Sequence, residues 1–200
     1  MSQEDQIVEK ICSNKLCLEI APGKGKFLKI DPINRVGIEI NKSLSEELQS
    51  SGLNCINANF FSYETDAKYD VVYARNFIEH LHPSDLASFL AKCDSLLSPN
   101  GHIVLVTPVE SVIWRTASHI RPYPPIALKK LLYLETEQYL FPSSKISKSY
   151  LAKSYCTFRI KSSRLLSFVL FLVFNFLNRG QVLSSAPFFG SHYITILSSF

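Results

Sequence analysis

Hydrophobic positions in the first half of the chain keep changing period. Short apolar runs at 16–20 (LCLEI), 35–40 (RVGIEI), 54–58 (NCINA), 70–74 (DVVYA) and 102–107 (HIVLVT) read as five strands. Between the second and third, Leu44 and Leu48 stand at i, i+4, and Gly52 sits where a helix would stop. Before the fifth, Leu86, Phe89, Leu90, Cys93, Leu96 and Leu97 recur at helical spacing. Pro83 and Ser84 suit the first turn of that helix, and Pro99-Asn100-Gly101 turns the chain into the next strand. Strands alternating with helices predict βαβ units and an α/β, doubly wound, mostly parallel sheet of Rossmann-like type.

Beyond Pro108 the pattern loosens. Residues 126–134 read as a helix after Pro124-Pro125, 143–155 as a polar loop or flap, and 156–160 as a short strand. Residues 192–197 (HYITIL) read as a last strand, antiparallel at or near an edge. The run 165–177 (LLSFVLFLVFNFL), between Arg164 and Arg179, is shorter than the roughly 20 apolar residues of a membrane span. It reads as a buried or partner-facing helix, with contact at a membrane surface as the alternative. No repeat or linker interrupts the 200 residues. They read as a single domain, with a nucleotide-binding core over 1–110, acceptor-side loops and helices over 111–190, and the last strand over 191–200.

The first strand ends in Glu19-Ile20-Ala21-Pro22-Gly23-Lys24-Gly25. Glycines in a strand-to-helix turn let a ligand approach the backbone. Glu39 ends the next strand, where a carboxylate can accept hydrogen bonds from ribose hydroxyls. A phosphate-binding P-loop is excluded, because Phe27 follows Gly25-Lys26 and no glycine stands five residues before Gly25. The dinucleotide fingerprint is disfavoured, because Leu28 occupies its third glycine position. What remains is a cofactor with adenosine but no pyrophosphate.

This stretch resembles the first motif of the class I S-adenosylmethionine-dependent methyltransferases, and the resemblance runs over about 10–135 and returns at the last strand. It implies S-adenosyl-L-methionine as cofactor. Glu19, Ala21, Gly23 and Gly25 would surround its methionine part, Glu39 its ribose, and Ile40, Asn59 and Phe60 its adenine. Arg75 and Asn76 would lie beside cofactor and substrate. The sequence 98–101 (SPNG) resembles the family's turn before the fifth strand. Two positions depart from the pattern: Ala21 replaces the usual first glycine, which requires a negative φ there, and Asn59 replaces the usual acid.

Methyl transfer needs an aligned acceptor and, for a hydroxyl acceptor, a base. His80, in the sequence Asn76-Phe77-Ile78-Glu79-His80, is one candidate. The run 114–128 (WRTASHIRPYPPIAL) resembles bacterial methyltransferases linked to sugars and surface polysaccharides. That resemblance makes His119 a second candidate base, Arg121 a binder of acidic groups, and Trp114 and Tyr123 stacking surfaces for a sugar. It implies O-methylation of a sugar or other small hydroxyl compound in envelope glycan metabolism. A further alternative resembles metal-assisted methyltransferases of RNA ends or quinone precursors. Its ligands would be Glu79, His80 and His119, but Asn76 stands in place of a first carboxylate, so no metal is expected. A catalytically silent binding partner with the same fold is the third reading.

Composition narrows this little. Apolar residues at 46% permit a real core, and a net charge of +4 does not demand nucleic acid. Five cysteines, none in a CxxC pair, fit reduced thiols. The polar, acidic start lacks a secretion signal pattern, so a cytoplasmic location is expected, at most peripheral at the inner membrane face.

Overall fold

The computed structural model describes residues 2–133, 150–158, 164–178 and 190–199. Among these, one seven-stranded sheet organises the chain, with strands β1 (Cys17–Ile20), β2 (Arg35–Glu39), β3 (Cys55–Asn57), β4 (Tyr69–Arg75), β5 (Leu97–Pro108), β6 (Tyr150–Phe158) and β7 (Gly190–Ser199) in the order β3-β2-β1-β4-β5-β7-β6. β1 to β5 pair in parallel, and β7 runs antiparallel between β5 and β6. The order reverses between β1 and β4, so their carboxyl ends diverge there and leave a crevice.

The helices are α1 (Gln3–Cys12), α2 (Lys42–Ser50), α3 (Pro83–Leu96), the single turn α4 (Glu110–Ile113), α5 (Pro125–Tyr133) and α6 (Arg164–Leu177). Parallel strands buried on both sides need helices on both faces. Leu18, Ile20, Val72, Ala74, Ile103 and Leu105 pack with α3 and α5 residues such as Phe89, Leu90 and Leu128. Cys17, Val71, Tyr73, Val104 and Val106 pack with Val8 and Cys12 of α1 and Leu48 of α2. All five cysteines are free and buried.

Three features differ from the expectation. α1 has no counterpart in the sequence reading. Its start is fixed by a capping box, in which Ser2 Oγ accepts the Asp5 N–H at 3.2 Å and Asp5 Oδ2 accepts the Ser2 N–H at 2.9 Å. Of the flap expected over 143–155, residues 150–155 are strand, paired with β7 as part of β6. On this edge strand Lys153 and Leu151 face solvent while the polar Ser154 is buried, which masks the alternation. The stretch 143–149 lies outside the described residues. The turn expected at 98–101 is a bulge within β5, where pairing jumps from Tyr69 with Leu97 to Val71 with His102.

The loop after β1 also departs. Ala21 adopts φ +53°, not the negative value expected of it. Its N–H still pairs with Ile38 O at 2.9 Å, and the Gly25 N–H closes the turn on Pro22 O at 2.9 Å. The chain must leave the sheet abruptly between these bonds, and a left-handed residue does so. Ala21→Gly should therefore raise stability by about 1 kcal/mol, because an L-residue there carries a left-handed penalty of about 1–2 kcal/mol that glycine escapes. Gly25→Ala should do the reverse, since its Cβ would lie 2.6 Å from Leu48 Cδ2 at a φ of +66°. Urea denaturation of both variants checks the pair.

Candidate active site

Two groups of polar side chains gather at the carboxyl end of the parallel strands. The first surrounds the loop after β1. Glu19 faces α1, buried, with its Oε2 lacking any hydrogen-bond partner among the described residues. Burial lifts its carboxyl to about 8, against the pull of Arg75 and Arg35. Beside it lies a cavity of about 110 Å³ lined by Asp5, Glu19, Lys26, Phe27, Tyr73 and Arg75, among others. Arg75 reaches Glu4 of α1 at 2.8 Å and Asp5 at 3.6 Å, and Lys26 Nζ lies 2.6 Å from Asp5 Oδ2. Burial opposes ionisation of Asp5, but the Lys26 ammonium and the Ser2 donors outweigh it and hold the carboxyl at about 2. Gly23, at φ +55°, has open space where a Cβ would stand, so its backbone is approachable. Gly25 is also needed for packing: its missing Cβ makes room for Leu48 and Leu53.

One strand over, Glu39 ends β2. Its Oε1 accepts the Asn41 N–H at 2.9 Å, and Asn57 Nδ2 donates to Glu39 O at 2.9 Å. Ile40 follows with 68% of its surface exposed, an unusual place for an isoleucine and a ready surface for a flat ring. Asn59 is exposed, and its Oδ1 accepts the Phe61 N–H at 2.9 Å. Phe60 is not available to a ligand: it is buried against Phe89, ring centroids 5.4 Å apart. The half-exposed Phe61 is the aromatic side chain at this edge instead. Asn76, after β4, repeats the left-handed exit of Ala21 at φ +51°. Asparagine tolerates that conformation better than other non-glycine residues.

The second group forms where the 118–123 strap crosses the 3-10 turn Ile78–His80. Ile120 N–H donates to Glu79 O at 2.8 Å, and Tyr123 Oη to Leu81 O at 3.1 Å. His80 Nδ1 lies 3.1 Å from Ser118 O, and His119 Nδ1 lies 2.6 Å from Ile113 O. Carbonyl oxygens only accept, so each imidazole carries its proton on Nδ1 and, when neutral, presents a bare Nε2. His119 Nε2 stands 3.9 Å from Glu79 Oε1, and the two imidazoles meet edge to face at 4.7 Å. Glu79 is wholly buried, no other described residue donates to either carboxylate oxygen, and burial lifts it to about 7. One ligand atom each of Glu79, His80 and His119 lies within 4.8 Å of the others, a set able to hold a cation.

Of the other expected acceptor-side residues, Tyr123 is buried in the core with its hydroxyl spent on Leu81, so the sugar-stacking role expected for it is not available. Arg121 is exposed, its guanidinium 5.4 Å from the Tyr123 ring. Trp114 is 64% exposed. Asp5, Lys26 and Tyr73 are site residues the sequence reading missed. The S-x-x-D capping signature at Ser2 was the signal for the helix that brings Asp5 there.

These residues fit an adenosyl sulfonium amino acid. Glu19 is a buried acceptor awaiting a cationic donor, Arg75 and Lys26 are cations for a carboxylate, and Gly23 opens the backbone. Residues 5–156 match the profile of a family described as a methyltransferase domain. No curated protein matches the sequence. The fold is similar to that of a SAM-dependent methyltransferase from Archaeoglobus fulgidus, with a TM-score of 0.66 at 20% identity over 98% of this chain and 90% of that one. It is also similar to the N-methyltransferase NodS from Bradyrhizobium japonicum, at 0.59, 10% identity and 98% and 94% coverage. The YcgJ protein of Bacillus subtilis aligns at 0.58, 14% identity and 97% and 96% coverage. NodS has also been crystallised in complex with S-adenosyl-L-homocysteine.

Proposed function

Because the chain belongs to the methyltransferase-domain family and has the class I fold, we propose that it transfers a methyl group from S-adenosylmethionine to a hydroxyl of a small acceptor, a sugar in particular. When bound, the cofactor supplies an electrophilic methyl on a sulfonium. Glu19 takes its ammonium, Arg75 and Lys26 its carboxylate, and the open backbone at Gly23 lets it lie close. Glu39 accepts from the ribose, with Ile40, Asn59 and Phe61 around the adenine. The small cavity under α1 suits the amino-acid end alone, with the adenosine outside it along the β1–β2 edge.

The observation that carries the acceptor chemistry is the tautomer of His119. With Nδ1–H held on Ile113 O, the basic Nε2 is free to take a hydroxyl proton, and Glu79 beside it stabilises the imidazolium formed. The resemblance of 114–128 to sugar-linked enzymes supports a glycan hydroxyl, with Arg121 and Trp114 contacting it. The test is incorporation of labelled methyl from the cofactor into a panel of hydroxyl and amine compounds. Labelling confined to amines would overturn the hydroxyl assignment.

The buried Glu79 carboxylate, without a hydrogen-bond donor among the described residues, favours a second reading, in which Glu79, His80 and His119 would hold a divalent cation that acidifies the hydroxyl. Both histidines already donate Nδ1–H to backbone carbonyls, as metal-bound imidazoles do. Loss of turnover on dialysis against a chelator, restored by added Mn²⁺ or Zn²⁺, distinguishes this reading from a free base.

Glu39→Ala should weaken binding of S-adenosylhomocysteine by roughly tenfold to 100-fold, because two hydrogen bonds from hydroxyls to a carboxylate go unmade. Isothermal calorimetry measures it, and adenine-free analogues lacking the ribose should be indifferent to the change.

A further inference from the structure

Helix α6 is apolar in the wrong direction for a helix of a water-surrounded protein. Its inner side packs on β6 and β7: Leu170, Phe171 and Phe174 lie against the buried Cys156 and Tyr193, and Asn175 exchanges hydrogen bonds with the Cys156 backbone at 3.0 and 2.9 Å. A helix so placed should turn charges outward. Instead, eight of its fourteen residues are exposed aliphatic or aromatic side chains, with Leu172 49%, Phe176 63% and Leu177 74% exposed. They recur at i, i+3 and i+4 from Leu165 to Leu177, so they form one continuous face. No helix among the described residues is long and apolar enough to cross a membrane.

The charge of the surrounding chain is equally lopsided. Residues 1–137 hold fourteen basic and all seventeen acidic residues, whereas 138–200 hold seven basic residues and not one acidic residue. Positive charge is therefore gathered in the stretch that contains α6, rather than scattered. Lys161 and Arg179 flank the helix in sequence, and Arg164 is its first residue. An apolar helix face in a segment whose sequence carries cations and no acid is complementary to a negatively charged lipid–water interface: hydrocarbon accepts the apolar side chains and headgroup phosphates attract the basic segment.

We propose that α6 docks this protein on the surface of an anionic bilayer, lying in the interface and not spanning it. The helix is tied to both halves of the site: Gln3 Nε2 at the start of α1 donates to Ser167 O at 2.9 Å, and Val112 of α4 packs into the same cluster as Leu170. Docking therefore sets the acceptor side of the sheet beside the lipid, which suits an amphiphilic or lipid-linked hydroxyl acceptor. That consequence rests on the methyltransferase reading; the docking itself does not.

Flotation of the full chain with phosphatidylcholine vesicles, with and without phosphatidylglycerol, tests it. The floated fraction should be on the order of tenfold larger with the anionic lipid and should fall as salt is raised. Leu172→Glu with Phe176→Glu should abolish it, as should Lys161→Glu with Arg179→Glu. Both double variants should keep their circular dichroism and their calorimetric heat with S-adenosylhomocysteine, so a docking failure is separable from a failure of the cofactor assignment. No flotation on either vesicle, or flotation unmoved by the α6 changes, overturns the proposal. So does a stable dimer that Leu172→Glu with Phe176→Glu splits, since a second copy would then be what covers the face.

Discussion

His119→Ala is expected to lower turnover by roughly 100-fold or more while leaving the affinity for S-adenosylhomocysteine unchanged, the usual scale for removing a positioned general base. The imidazole is fixed at one nitrogen by Ile113 O and faces Glu79 with the other, so no rotation of a neighbour replaces it. His80 shares the cluster but not the contact with Glu79 that supports an imidazolium. His80→Ala should then cost far less than His119→Ala when a base acts alone. If both substitutions are equally damaging and a divalent metal enhances the wild type, the cation reading replaces the base. Glu79→Gln separates the two further. It keeps the shape and removes the charge, lowering turnover through His119 in the first case and abolishing metal binding in the second. Single-turnover kinetics with a saturating labelled cofactor measure the chemical step directly.

Glu19→Gln should weaken S-adenosylhomocysteine binding by roughly 30-fold at pH 8.5, the worth of about 2 kcal/mol for a hydrogen bond to a charged group. The loss should shrink as pH falls. Burial holds the Glu19 carboxyl protonated up to about 8, and a ligand ammonium needs it ionised. Wild-type affinity should therefore rise with pH up to about 8 and then level off, and Glu19→Gln should erase that dependence. Stability moves the other way. The folded carboxyl titrates near 8 and the unfolded one near its ordinary 4.5, so the fold binds the proton more tightly. That contribution is fully present below 4.5 and is lost as pH climbs through about 8. Free of ligand, Glu19→Gln should accordingly match the wild type at pH 5 and exceed it at pH 9 by about 1–3 kcal/mol, a range set below the full shift because the nearby arginines and entering water relieve the charge. Urea titrations at the two pH values decide it, and a wild type that is the more stable at pH 9 would show that Glu19 is already ionised in the fold.

The two sets of residues differ in how they reach their positions. Glu19, Gly23 and Glu39 lie at or just after the ends of adjacent parallel strands, and a doubly wound sheet brings such ends to one edge whatever else the chain does. Glu79 and His119 stand forty positions apart and meet only because Ile120 and Tyr123 bind the turn at Glu79 and Leu81.

What the amino-acid order determined by itself is the succession of strands and helices, the glycine bend and the acids that flank it. Those follow from the period of apolar side chains and from which residues tolerate a turn, both local properties of the chain. What the tertiary structure alone decided is of another kind: α1 laid across Glu19, Ala21 driven to a positive φ, Phe60 and Tyr123 withdrawn into the core, and β6 paired along β7 despite its lysine and serine. Each depends on a partner distant in sequence, and burial by such a partner outweighs the propensity of any short segment. The outward face of α6 belongs to both. Its apolar residues are plain in the sequence, but only packing on Cys156 and Tyr193 settles which of them are left facing outward.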